Sequence, residues 1–108
     1  MTRILIAEDD RHTRAALEEL LQAEGYDVAT VGDGLSASKM MESKKFDLVC
    51  LDVMMPMKSG YNVCRLLRAN DKQTPVIFIT AKGEEIDKVV GFELGADDYI
   101  SKPFGSHE

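Results

Sequence analysis

Five side chains in this 108-residue sequence have the types and placing to handle a charged ligand: Glu8, Asp9, Asp52, Thr80 and Lys102. Each stands just past a short apolar run. Glu8 and Asp9 follow Ile4-Leu5-Ile6-Ala7, Asp52 follows Leu48-Val49-Cys50-Leu51, Thr80 follows Val76-Ile77-Phe78-Ile79, and Lys102 follows the last such run. A carboxylate at the end of a buried segment carries a desolvation cost unless its charge is used. If these ends converge, three carboxylates and one ammonium share a pocket that suits a divalent cation and a phosphoryl group. Two carboxylates about 4 Å apart repel by roughly 4 kcal/mol at an effective dielectric of about 20, so three together call for a compensating cation. Oxygen-only ligands favour Mg²⁺ over zinc, and no His or Cys is placed to join them. With Mg²⁺ bound, Asp52 could attack a phosphorus centre to give an acyl phosphate. The metal and Lys102 would neutralise the equatorial oxygens, and Thr80 would offer a hydroxyl hydrogen bond.

The elements that must position these residues alternate strand and helix. Strands are predicted over residues 3–7, 27–31, 48–51, 76–79 and 98–100. Three of them are continuously apolar, the mark of strands covered on both faces of a parallel sheet. Helices are predicted over 11–24, 34–43, 60–69 and 84–94. Their inner faces would be Ala16, Leu17, Leu20, Leu21 and Ala23; Ala37, Met40 and Met41; Val63, Cys64, Leu66 and Leu67; and Val89, Val90, Phe92 or Leu94. Gly25 supplies a stop for the first helix, and Asp33 a cap for the second. Asp9 or Asp10 is also a natural N-cap for the first helix. Strict alternation implies an α/β fold, a doubly wound parallel sheet with right-handed crossovers. In such sheets ligands bind beyond the carboxyl ends of the strands, which is where all five residues fall. An order 2-1-3-4-5 would set the first and third strands side by side and bring Asp9 to Asp52.

Composition narrows the field further. The length allows one domain, residues 1–108, and the apolar fraction of 44% is enough for one core. A formal charge of −6 argues against nonspecific binding to nucleic acid or to an anionic membrane. No apolar run approaches the roughly 18–20 residues that span a bilayer, and the N-terminus has no signal-peptide anatomy. Cys50 and Cys64 lie in apolar stretches without CxxC spacing, as expected of buried free thiols in a reducing, cytoplasmic setting.

Four segments carry a family resemblance: Ile4-Leu5-Ile6-Ala7-Glu8-Asp9-Asp10; Leu51-Asp52-Val53-Met54-Met55-Pro56 with Gly60; Thr80-Ala81; and Gly95-Ala96-Asp97-Asp98-Tyr99-Ile100-Ser101-Lys102-Pro103-Phe104. In combination they resemble the CheY-like receiver domain of two-component response regulators over the whole chain. The resemblance implies a flavodoxin-like, five-stranded sheet in the order 2-1-3-4-5. It implies that Asp52 accepts a phosphoryl group from a phosphohistidine on a sensor histidine kinase. Mg²⁺ would be held by Asp9, Asp52 and the backbone carbonyl of Met54, with Glu8 acting through water, and Lys102 would contact the phosphoryl group. Thr80 and Tyr99 would form the switch, although an ordinary half-buried strand tyrosine is the plainer reading of Tyr99. The stretch from Gly95 to Phe104 is most similar to OmpR/PhoB-type receivers, in which a charged face forms a homodimer. Lys88, Glu93, Asp97 and Asp98 match positions on that face, and a merely solvated surface is the alternative. Met54 and Lys82 flank the line of attack of a hydrolytic water in the family and offer no group to orient it, so slow self-hydrolysis is expected.

Two rival functions use related residues. A haloacid-dehalogenase-type Mg²⁺ phosphohydrolase also uses a strand-end Asp, but it needs a second Asp two residues on, where Met54 stands. An unphosphorylated receiver serving as a protein-binding module would not need the full set of Glu8, Asp9, Asp52, Thr80 and Lys102. The alternating pattern stops after its fifth strand, so the chain is expected to lack the last helix of a doubly wound sheet. An output domain is then expected beyond residue 108 or in a partner, and an apolar sheet face would need cover.

Overall fold

Period-two alternation inside apolar runs decides which way each strand residue points. Leu5, Ala7, Val49, Leu51, Val53, Val76 and Phe78 enter one core cluster, whereas Ile4, Ile6, Cys50 and Ile79 enter a second one on the opposite face of the sheet. The computed structural model describes residues 1–70, 73–80 and 98–101, the last four through their backbone alone. Its elements are β1 (Arg3–Ala7), α1 (Arg11–Ala23), β2 (Asp27–Val31), α2 (Gly34–Ser43), β3 (Leu48–Asp52), α3 (Gly60–Asn70), β4 (Val76–Thr80) and β5 (Asp98–Ser101). All pairings are parallel, and the strand order is β2-β1-β3-β4-β5, as the family resemblance implied. The segment 84–94, expected to be helical, lies outside the described residues, as does everything after Ser101.

Helix α1 covers the Ile4/Ile6 face through Leu17 and Leu21, while α2 and α3 cover the Leu5/Leu51 face through Ala37, Met40, Met41, Val63, Cys64 and Leu67. The expected inner faces were too wide. Leu20 is 51% exposed and Leu66 43%, and Ala16 and Ala23 are exposed as well. A 3.6-residue period shows which residues share a face, but a single helix on a twisted sheet touches it along one narrow stripe. The uncovered sheet face expected from a short chain is not found at Ile4, Ile6, Cys50 or Ile79, all of which are buried.

The ends of the helices are set by local chemistry. Asp10 Oδ2 accepts from the Thr13 amide at 2.8 Å and from its hydroxyl at 2.6 Å, so Asp10 is the N-cap of α1 and Asp9 is not. At the other end the Tyr26 amide donates to the Leu21 carbonyl and the Gly25 amide to the Gln22 carbonyl, with Gly25 at φ 94°. That paired pattern closes the helix in the left-handed turn that glycine adopts most cheaply. Asp33 caps α2 through the Ser36 amide at 2.7 Å. Its carboxyl is held below the usual range, chiefly by that backbone hydrogen bond. No described helix is long and apolar enough to cross a membrane.

Candidate functional site

Register assembles the acids. Ala7 pairs with Leu51 across β1 and β3, so Glu8, one residue on, stands level with Asp52. Asp52 pairs with Ile79, and Thr80 pairs with Ser101, so the strand ends form one edge. Asp52 and Thr80 are the last residues of their strands rather than the first beyond them, because the ladder runs further than the apolar run. The Val53 amide still donates to the Ile79 carbonyl at 3.0 Å.

Three of the predicted residues meet here. One carboxylate oxygen each from Glu8, Asp9 and Asp52 lies within 4.8 Å of the others. Glu8 and Asp52 are buried at 0% and 2% exposure, Asp9 is exposed, and Thr80 is buried at the neighbouring strand end. Lys102, Lys88, Glu93 and Asp97 fall outside the described residues, and Tyr99 and Asp98 are described only as backbone of β5.

The loops between strand and helix complete the site. Glu8 Oε2 accepts from the Asp10 amide at 2.9 Å, which ties the buried acid to the start of α1. The Arg14 guanidinium donates to the Glu8 carbonyl at 2.7 Å and pins the β1–α1 loop from inside the helix. Asp52 Oδ1 accepts from the Met54 amide at 3.3 Å. Beyond Met54, the Lys58 amide donates to the Pro56 carbonyl at 2.8 Å around Met57, whose φ is 72°. This is a tight γ-turn with a non-glycine residue in the left-handed region, a strained arrangement that the surrounding structure must enforce. Ser59 then opens α3, its Oγ accepting from the Asn62 amide at 3.1 Å. Gly60 leaves room for the strand: a Cβ there would stand 2.3 Å from the Asp52 carbonyl oxygen.

Sequence reasoning did not single out Arg14. No short spacing marks it, and its role depends on α1 lying across the end of β1. Both cysteines are free and buried, as expected, and burial pushes the Cys50 thiol up to about 12.

The cluster is chemically selective. At a metal–oxygen distance of about 2.1 Å, an octahedral Mg²⁺ holds ligand oxygens about 3.0–4.2 Å apart. The Asp9 and Asp52 oxygens, already within 4.8 Å of each other, need only a small closure to meet that geometry. Their mutual repulsion favours any hard cation that arrives, and the all-carboxylate donor set excludes a soft-metal site.

A family model for the response regulator receiver domain matches residues 4–108. The chain is 49% identical over its full length to the sensory transduction protein RegX3 of Mycolicibacterium smegmatis, covering 47% of that protein. It is 47% identical to the transcriptional regulatory protein CpxR of Escherichia coli, covering 46% of it. The chain therefore spans about half the length of the curated relatives it matches. Among solved structures, the response regulator TrrA of Thermotoga maritima, in complex with Mg²⁺ and BeF, superposes with a TM-score of 0.88 at 36% identity. That match covers 97% of this chain and 90% of the other. With a family match running from Ile4 to Glu108 over a sheet of the expected order, the chain belongs to the response regulator receiver domain family and is a signalling domain rather than a metabolic enzyme.

Proposed function

We propose that this chain is a phosphorylation-dependent switch in which Asp52 accepts a phosphoryl group from a phosphohistidine on a sensor histidine kinase. The observation that carries the reading is the meeting of Glu8, Asp9 and Asp52 within 4.8 Å, with two of the three buried. Mg²⁺ is the cofactor, held by Asp9, Asp52 and the Met54 carbonyl with Glu8 acting through water. Once bound, it supplies positive charge against which the phosphoryl oxygens can develop theirs. An Asp52 carboxylate oxygen attacks phosphorus, the P–N bond breaks, and the imidazole leaves after taking up a proton. Lys102 pairs with the transferred group, and Thr80 donates its hydroxyl to it. The buried end of β4 keeps Thr80 away from bulk water.

Rearrangement of Thr80 and Tyr99 then alters the surface carrying Lys88, Glu93, Asp97 and Asp98, either for a homodimer or for another partner. The relative CpxR is a transcriptional regulatory protein, which supports an output step in transcription. That output belongs to a further domain or a partner, and this domain makes no direct contact with nucleic acid. A cytoplasmic location follows from the kinase as donor.

Labelling with a small-molecule phosphodonor such as acetyl phosphate, in wild type and Asp52→Ala, tests the reading. The switch requires near-stoichiometric, Mg²⁺-dependent label that is lost in the variant and persists for minutes or longer. Continuous turnover would instead mark a phosphohydrolase. No label under any condition would leave an unphosphorylated binding module.

A further inference from the structure

We propose that Gly34 is a positioning residue for the metal site, acting through the loop that carries Met54. The inference rests on the Mg²⁺ reading above and adds a part of the molecule, the start of α2, that contributes no ligand to it.

The loop from Val53 to Ser59 is fixed at its base by two backbone bonds. The Val53 amide donates to Ile79 of β4 at 3.0 Å, and the Gly60 amide donates to Val53 at 2.9 Å. Its tip has no such ladder. The γ-turn around Met57 holds a non-glycine residue at φ 72°, which persists only where neighbouring groups press it into place. Helix α2 does the pressing. The Gly34 amide donates to the Pro56 carbonyl at 3.4 Å, and Gly34 is buried beneath the turn. A Cβ on Gly34 would stand 2.2 Å from the Lys58 carbonyl oxygen and 2.6 Å from its Cβ. Those are backbone and near-backbone atoms, so a methyl group at position 34 can be admitted only if the tip moves.

Met54 lies between the fixed base and that tip. A shift of the tip turns the peptide whose carbonyl is to face the acids, while Asp52 stays on β3 and Glu8 and Asp9 stay in the β1–α1 loop. Ser43, at the far end of α2, provides a control. It is exposed, and its hydroxyl donates within the helix to the Met40 carbonyl at 3.2 Å.

The test compares wild type, Ser43→Ala and Gly34→Ala, each shown to be folded by circular dichroism. Affinity for Mn²⁺, standing in for Mg²⁺, is read from water-proton relaxation. Gly34→Ala should bind roughly ten- to hundredfold more weakly, the range found when groups that orient metal ligands are removed. Ser43→Ala should stay within about twofold of wild type. A folded Gly34→Ala that binds as wild type overturns the proposal, and so does an equal loss in both variants. Wild type that binds no Mn²⁺ sinks the metal reading itself, and the inference with it. If Gly34→Ala does not fold, a Mg²⁺ titration of the wild-type chain followed by amide NMR decides. The Gly34 and Lys58 amides must shift with the same midpoint as Met54, and silence at Gly34 refutes the coupling.

Discussion

Neutralising one acid of the cluster should stabilise the metal-free chain, and Asp52→Asn is the cleanest way to do it. Carboxylate oxygens of Glu8, Asp9 and Asp52 lie within 4.8 Å of one another. At that separation two unit charges repel by about 3.5 kcal/mol for an effective dielectric of about 20. The Glu8–Asp52 pair is buried and retains most of this, whereas Asp9 is exposed and solvent holds its share below about 1 kcal/mol. An asparagine keeps an oxygen for the Met54 amide but loses the charge that strengthens that bond, costing about 1 kcal/mol. The balance is a gain of about 2–3 kcal/mol, or a rise in Tm of about 10–20 °C for a domain near this size. Mg²⁺ at about a thousand times its Kd should reverse the order, because it stabilises wild type by about 4.1 kcal/mol while the variant lacks one charged ligand. Thermal melts by circular dichroism, with EDTA and with Mg²⁺, read both effects. An Asp52→Asn variant that melts at or below wild type in EDTA would refute the reasoning, because repulsion would then not dominate the empty site.

Three further outcomes follow from the same geometry. Gly60→Ala places a methyl 2.3 Å from the Asp52 carbonyl oxygen and endangers the 2.9 Å bond from Gly60 to Val53, so it should cost about 1–3 kcal/mol in urea denaturation despite alanine's better helix propensity. The Asp33 carboxyl is held below its ordinary value of 3.8 by the Ser36 amide. Its contribution is therefore present above pH 3.8 and is lost as pH falls through the lower folded value, and Asp33→Asn should flatten the acid side of a Tm–pH profile. With Cys50 raised to about 12 and both thiols buried, a disulfide-forming thiol reagent at pH 8 should label neither cysteine in the native chain and both in urea.

Most of the architecture was legible in the sequence because its signals are local. Continuous apolar runs marked the buried parallel strands, and the bounds of β1, β2 and α2 match those predicted. The choice between Asp9 and Asp10 as helix cap was left open, although Thr13, three residues after Asp10, carried the answer: its amide and hydroxyl both donate to that carboxylate. The width of the helix contacts was not legible. Leu20 and Leu66 have the right period yet remain half exposed, since periodicity says nothing about how much of a helix the sheet can reach. The close approach of Gly34 to Lys58 was invisible for a related reason. It joins segments 24 residues apart in sequence, and no local rule marks a glycine that is required by a neighbour's carbonyl.

The core and the site are consequences of a single alternation. Val49, Leu51 and Val53 belong to the α2/α3 side, so Asp52 is directed with Cys50 toward the α1 side. Ala7 belongs to the α2/α3 side too, so the same rule carries Glu8 over with Ile6. Parallel pairing of Ala7 with Leu51 then makes the two acids neighbours at one level. A slip of one residue between β1 and β3 would send each apolar set into the opposite core, where its side chains no longer fit, and separate the carboxylates in the same step. The hydrophobic cores on both faces thus hold the register against the repulsion of the acids. The strands hold Asp52 and Thr80 and set Glu8 one residue past β1, and the loops bring what strands cannot: an exposed third acid, and a backbone segment at Met54 whose path is bent by Met57 and braced by α2.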